Sequence, residues 1–194
     1  MPPVSRAMLE RLGVAVLEEL QPEALHCPRP IDLVELVDHQ LPRHGVDVYP
    51  VRQEELGEIW AATDPEGRVG DRITILLAEK LDDDLRKGGP IAHMARATLA
   101  HEIAHAVLHV DFIRRRLVHP QGQNLLSRTK RHQLKPYEDP EWQAWMLGGC
   151  LLVPRTTLAM SSERSLEGLA ETYQISVPMM RAHLKRLKLP SRAA

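Results

Sequence analysis

An α+β fold is predicted, and three patterns in the chain predict it. Apolar residues recur at helical spacing near both ends of the chain and along a central stretch at 91–110. Two short runs, 46–49 and 72–77, are strand-like, and residues 64–67 between 58–63 and 72–77 have turn chemistry. Helices and strands are segregated rather than alternating in βαβ units. The expected arrangement is therefore a small mixed or antiparallel sheet of about three strands on a long central helix, with flanking helices and a C-terminal helical segment.

Each element has its own reason. Leu9, Leu12, Val16, Leu17 and Leu20 place one apolar stripe on a helix over 5–20. Cys27-Pro28-Arg29-Pro30 breaks it, and Pro30 suits the first turn of a second helix. That helix carries Leu33, Val34, Leu36, Val37 and Leu41 and ends near Pro42. Val46-Asp47-Val48-Tyr49 alternates as a strand does. Asp64-Pro65-Glu66-Gly67 suits a tight turn and joins two strands into a hairpin. Gly88-Gly89-Pro90 punctuates the chain before the long helix at 91–110, and 111–138 reads as irregular and basic. Asp139-Pro140 offers an N-cap and a first-turn residue for a helix reaching about residue 152. Two helical stretches follow at 166–173 and 177–187, with Ser176 as N-cap of the second. Residues 1–160 are read as the main domain. Residues 161–194 are read as a helical segment with a helix-turn-helix look, packed on the same domain.

Composition narrows the function classes. The 194 residues are 43% hydrophobic and 26% charged, which supports one packed globular domain, although only 4% are aromatic. A formal net charge of -1 gives no bulk attraction to nucleic acid or to an acidic membrane. The two cysteines, Cys27 and Cys150, form no CxxC pair and suit a reducing compartment. No signal-peptide core and no run long enough to span a bilayer is present, so a soluble cytoplasmic protein is expected.

The chemistry concentrates at His101-Glu102-Ile103-Ala104-His105. Residues four apart on a helix stack one above the other, about 6 Å along the axis, so both imidazoles can face one point. Two ring nitrogens can then approach one zinc ion at about 2.0–2.1 Å. Glu102 follows His101 by about 100° of rotation, beside the ion, where its carboxylate can take a proton from water. Leu99, Ala100, Ile103, Ala104, Val107 and Leu108 make this helix apolar nearly all round. A buried helix carrying His, Glu and His needs something to satisfy them.

A third ligand must come from elsewhere. His109 lies about 12 Å along the axis from His101, too far to share the ion, and is read as a polar residue at the helix end. Asp111 stands where a metzincin-like pattern has its third ligand, but Leu108 replaces the glycine that pattern requires. Glu138, Asp139 and Glu141 compete near the start of the next helix, where Asp139 also suits the cap.

The pairing of Thr98–His109 with Glu141-x-x-Ala144 and Leu151-Leu152-Val153-Pro154 resembles the ImmA/IrrE family of gluzincin-like metallo-endopeptidases. That family joins a buried His-Glu-x-x-His helix to Glu-x-x-Ala-Asn and Leu-Leu-Met-Pro. Leu169–Ser176, with Met180 and Leu184, is also similar to its C-terminal segment, and the resemblance runs from about Val46. It implies His101, His105 and Glu141 as zinc ligands and Glu102 as general base. Trp145 departs from the usual Asn. An edge strand that pairs with extended substrate is also implied, and 73–77 is the strand expected there.

The expected function is thus a zinc-dependent endopeptidase with a protein or peptide substrate. By resemblance, that substrate is a transcriptional regulator such as a helix-turn-helix repressor. The alternative is a non-catalytic regulator that binds DNA or a repressor and whose zinc is structural or vestigial. The basic segment 114–135 reads as a solvated loop or as a contact for an acidic partner or nucleic acid. His119, His132 and Tyr137 lie near the site in sequence, but no spacing rule selects among them. Arg181, Lys185, Arg186 and Lys188 make the last helix basic, although Leu184 and Leu187 also suit plain packing.

Overall fold

A computed structural model describes residues 2–67, 71–89, 91–117 and 135–190. Helix α1 (Arg6–Leu20) begins where expected, with Ser5 Oγ accepting from the Met8 amide at 3.3 Å. Leu9, Gly13 and Leu17, spaced by four, form its buried seam. The second apolar stripe becomes α2 (Leu33–Glu35), a π-type stretch at Leu36–Gln40, and α3 (Leu41–Arg43). Pro42 has no amide to donate. The wider turn, in which Leu41 N bonds Leu36 O, lets the helix run into it.

Strands β1 (Val46–Val51), β2 (Ala61–Asp64) and β3 (Ile73–Ala78) form one sheet in the order β1-β3-β2. The β2–β3 hairpin is antiparallel, with Ala61 opposite Leu77, while β1 runs parallel to β3, with Val46 opposite Ile73. The hairpin turn contains an Asx turn, Glu66 N donating to Asp64 Oδ1 at 2.9 Å. Two expectations need correction here. The strand at 73–77 is central, not an edge, because its largely buried residues are covered on both flanks by other strands. And β2 starts at Ala61 rather than 58, because a one-turn helix α4 (Gln53–Leu56) ends at Gly57, whose φ of 66° turns the chain.

Helix α5 (Glu79–Lys87) follows, then α6 (Ala92–Leu117). Helix α6 extends through residues that the sequence suggested were irregular; the rest of that basic segment, 118–134, lies outside the described residues. Helix α7 (Pro140–Leu152) starts as predicted, with Asp139 Oδ1 accepting from Glu141 N at 3.1 Å. Helices α8 (Arg155–Met160), α9 (Leu166–Thr172) and α10 (Val177–Leu187) complete the described chain, and Ser176 caps α10.

The core is built where α6, α7 and α1 meet, and Leu166, Leu169, Tyr173, Met180 and Leu184 of the C-terminal helices join it. Small residues set the closeness of the helices. A Cβ on Gly148 would stand 2.9 Å from Ala100 O, and one on Gly13 would stand 2.8 Å from Cys150 Cβ. A Cβ on Gly149 would overlap the ring of His183. That histidine is fully buried, donates from Nε2 to Val153 O at 3.1 Å, and is pulled down to about 4 by burial. Among the described residues no helix is long and apolar enough to cross a membrane.

Candidate metal centre

The close contact of α7 with α6 at Ala100 lies next to His101, so the register of these two helices decides what stands over the histidines. His101 Nε2 and His105 Nε2 are 3.0 Å apart. Glu141, in the first turn of α7, brings Oε2 to 3.4 Å from His101 Nε2 and Oε1 to 3.5 Å from His105 Nε2. The potential ligand atoms of the three residues all lie within 4.8 Å of one another. Burial, against the pull of Glu102, lowers the His101 pKa, which favours the neutral imidazole that a metal requires. Two imidazoles and a carboxylate suit zinc in ligand type and number, and a catalytic zinc keeps its remaining position open.

The competitors are engaged elsewhere. Asp139 caps α7, and Glu138 Oε2 accepts from Lys135 N at 3.1 Å, closing a 3-10 turn at Pro136–Glu138. Asp111 is exposed and lines a different cavity, against α1 and β1. His119 and His132 lie outside the described residues, and Tyr137 is partly exposed beside α7.

Glu102 is buried and points into the same cavity of about 390 Å³. Thr63 on β2 donates its hydroxyl proton to Glu102 Oε2 at 2.7 Å, with the Glu102 carbonyl 3.2 Å away. One carboxylate oxygen is thereby anchored, and the other is left to accept a proton. Thr63 carries no sequence signal that links it to residue 102; only the pairing of β2 beside α6 brings it there.

His109 is not the helix-end residue expected. It is 2% exposed because α6 continues past it, and it bridges the site to α7. Gln143 Nε2 donates to Pro2 O at 3.0 Å and to Tyr137 O at 2.8 Å, which turns Gln143 Oε1 toward His109 Nε2 at 3.0 Å. His109 must then donate from Nε2 and accept at Nδ1. His105 Nδ1, 2.9 Å away, supplies that proton, leaving the His105 Nε2 lone pair facing Glu141 and His101. Sequence reasoning missed this relay. Its available clue was a glutamine inside the apolar run of α7.

His101 is fixed differently. Its Nδ1 is buried and has no hydrogen-bond partner among the described residues, while the Trp145 ring packs on the imidazole at 4.2 Å between centroids, tilted by 33°. The residue that departs from the family pattern is therefore in direct contact with a ligand candidate.

Comparison with curated proteins and with solved structures gives no match. The family model for Peptidase_M78, described as the IrrE N-terminal-like domain, matches residues 93–185. The match begins at α6, not at Val46, so the sheet lies outside it. The span from α6 to α10, which carries the His101, His105 and Glu141 cluster, is thus similar to the IrrE N-terminal-like domain of the Peptidase_M78 family.

Proposed function

We propose that this protein is a zinc-dependent endopeptidase in which His101, His105 and Glu141 hold the ion and Glu102 is the general base. The observation that carries this reading is the position of Glu102: buried, beside the ligand cluster, with one oxygen held by Thr63. A purely structural site has no use for such a carboxylate. Zinc, when bound, lowers the pKa of a coordinated water and polarises the substrate carbonyl.

The protein's own groups do the rest. The free oxygen of Glu102 takes the proton of the attacking water and later delivers it to the leaving amine. The relay from Gln143 through His109 holds His105 in the tautomer whose Nε2 can bind a metal. Residues of β2 line the cavity, and its outer edge has no strand partner among the described residues. An extended substrate can add to this edge through main-chain hydrogen bonds, leaving side-chain pockets to choose the sequence.

The family resemblance further supports a regulatory role, with a folded regulator such as a helix-turn-helix repressor as substrate. Cys27 and Cys150 are both free thiols, which suits the reducing cytoplasm. Glu102→Gln tests the reading. Zinc content measured by elemental analysis should stay near one per chain. New protein N-termini, labelled and compared in cells expressing wild type or variant, should fall with a rate loss of about 10²–10⁴-fold. The non-catalytic alternative predicts no difference in N-termini between the two, and that result would reject the peptidase.

A further inference from the structure

A concave surface larger than the metal-centre cavity lies elsewhere among the described residues. A groove of about 1040 Å³ runs between the start of α1, the 3-10 turn at Pro136–Glu138, α7 and the C-terminal end of α10. Its apolar wall includes Pro3, Ala7, Trp142 and Ala182, and its cations are Arg6, Lys185, Arg186 and Lys188. No carboxylate lines it among the described residues. Arg6 is already engaged, with Nε 3.3 Å from Glu10 Oε1 and Nη1 donating to Leu187 O. Lys185, Arg186 and Lys188 have no acidic partner among the described residues. Burial lowers the pKa of Arg186, and one of its guanidinium nitrogens, Nη1, is buried without a hydrogen bond among the described residues.

The groove lies close to the site without opening into it. The Arg186 guanidinium sits 5.9 Å from the centroid of the Trp145 ring, and that ring packs on His101. One aromatic side chain thus separates the groove's half-buried cation from a ligand candidate.

We infer that this groove binds an acidic segment of the peptide substrate, its carboxylates on Lys185, Arg186 and Lys188 and its apolar side chains against Trp142. This inference rests on the peptidase reading and adds a substrate class to it. A half-buried guanidinium without a counter-ion is a strong donor to a bidentate carboxylate, because the ligand supplies the missing hydrogen bonds in a poorly hydrated place. DNA fits less well. A helix-turn-helix recognition helix offers its N-terminal residues to base edges, whereas here three of the four cations of α10 and its C-cap, Lys185, Arg186 and Lys188, lie at the C-terminal end of the helix in a concave, apolar-walled groove, with Arg181 alone nearer its start.

Fluorescence anisotropy on the zinc-loaded full chain tests this. The probes are a short labelled peptide alternating Glu with Leu and Phe, and its Gln counterpart. The Glu peptide should bind at least about tenfold more tightly, with the difference shrinking as salt rises. Lys185→Glu, at an exposed position that the core does not need, and Arg186→Gln should each remove most of that difference, with zinc content unchanged. Equal affinity for the two peptides overturns the inference, as does acidic-peptide binding that neither variant alters. Binding of a labelled DNA duplex through the same residues, with the acidic peptide unbound, also overturns it. Cleavage without acidic preference sinks the inference but spares the peptidase. Acidic-peptide binding without any cleavage does the reverse.

Discussion

Gln143→Leu isolates the proton relay behind His105. The amide of Gln143 is 1% exposed and makes three hydrogen bonds, to His109 Nε2, Pro2 O and Tyr137 O. Leucine keeps the bulk but leaves the buried His109 Nε2–H unpaired, at a cost of about 1–3 kcal/mol in stability. The sharper consequence is at the metal. Without Gln143, His109 is free to place its proton on Nδ1, where it meets His105 Nδ1, 2.9 Å away. His105 must then move its own proton to Nε2, the atom that would bind zinc. Loss of such a partner behind a ligand histidine lowers metal affinity about 10–100-fold, equivalent to roughly 1.4–2.7 kcal/mol. Competition with a zinc-binding dye measures this, alongside urea unfolding of the apoprotein. Because the effect passes through His109, Gln143→Leu and His109→Phe should be strongly non-additive in zinc affinity. Unchanged zinc affinity in Gln143→Leu, or full additivity in the double variant, would refute the relay.

Other perturbations act on separate links. Thr63→Val removes the hydroxyl that holds Glu102 Oε2; turnover should fall by up to about 10–100-fold with zinc content unchanged, and a loss of zinc would show that Thr63 supports the fold instead. His183 is held neutral, down to about 4 from an ordinary 6.5. Its contribution to stability is therefore full above pH 6.5 and lost as pH falls toward 4, on the order of 3 kcal/mol. The slope of Tm against pH in that window should flatten in His183→Asn. Gly148→Ala and Gly149→Ala should each cost about 1–3 kcal/mol by overpacking. Only Gly148→Ala should also weaken zinc retention, because its new methyl pushes on Ala100 beside His101, whereas Gly149 faces His183.

Local chemistry was legible in the sequence, and long-range pairing was not. Asp139 and Ser176 could be named as caps because a cap needs only a side-chain oxygen and amides two or three residues on. Helix α5 escaped notice because its apolar residues, Leu81 and Leu85, are too few for a stripe. It is held by the docking of fully buried Leu81 and by pairs such as Arg86–Asp82. The order of strands depends on contacts between distant segments, although the apolar run at 75–78 already suited a strand covered on both flanks. At the centre, the His-Glu-x-x-His spacing follows from helical periodicity alone. The choice of Glu141 over Glu138 and Asp139 required the family pattern, and Thr63, Gln143 and the burial of His109 required the packed structure.

Much of the site is delivered by a single helix whose sequence otherwise looks like plain core. On α7, Glu141, Trp145 and Gly148 stand at i, i+4 and i+7, one face of the helix. The first completes the ligand cluster, the second packs on His101, and the third permits the approach to Ala100. Gln143 adds the hydrogen bond that sets the tautomer of His109. The metal cluster is therefore one end of the α6–α7 interface rather than a separate appendage. Anything that slides α7 along α6 by a fraction of a turn removes Glu141 from both histidines at once. Conversely, an ion held by residues of both helices would resist that slide and stabilise the folded chain by an amount that grows with the logarithm of its affinity. The two candidate ligand histidines differ in how they depend on this interface. His105 relies on directional hydrogen bonds through His109, while His101, with no partner at Nδ1 among the described residues, relies on the face of Trp145. Shape complementarity tolerates small rotations that a proton relay does not. The tautomer of His105 is accordingly the more exacting of the two conditions that this fold places on the centre.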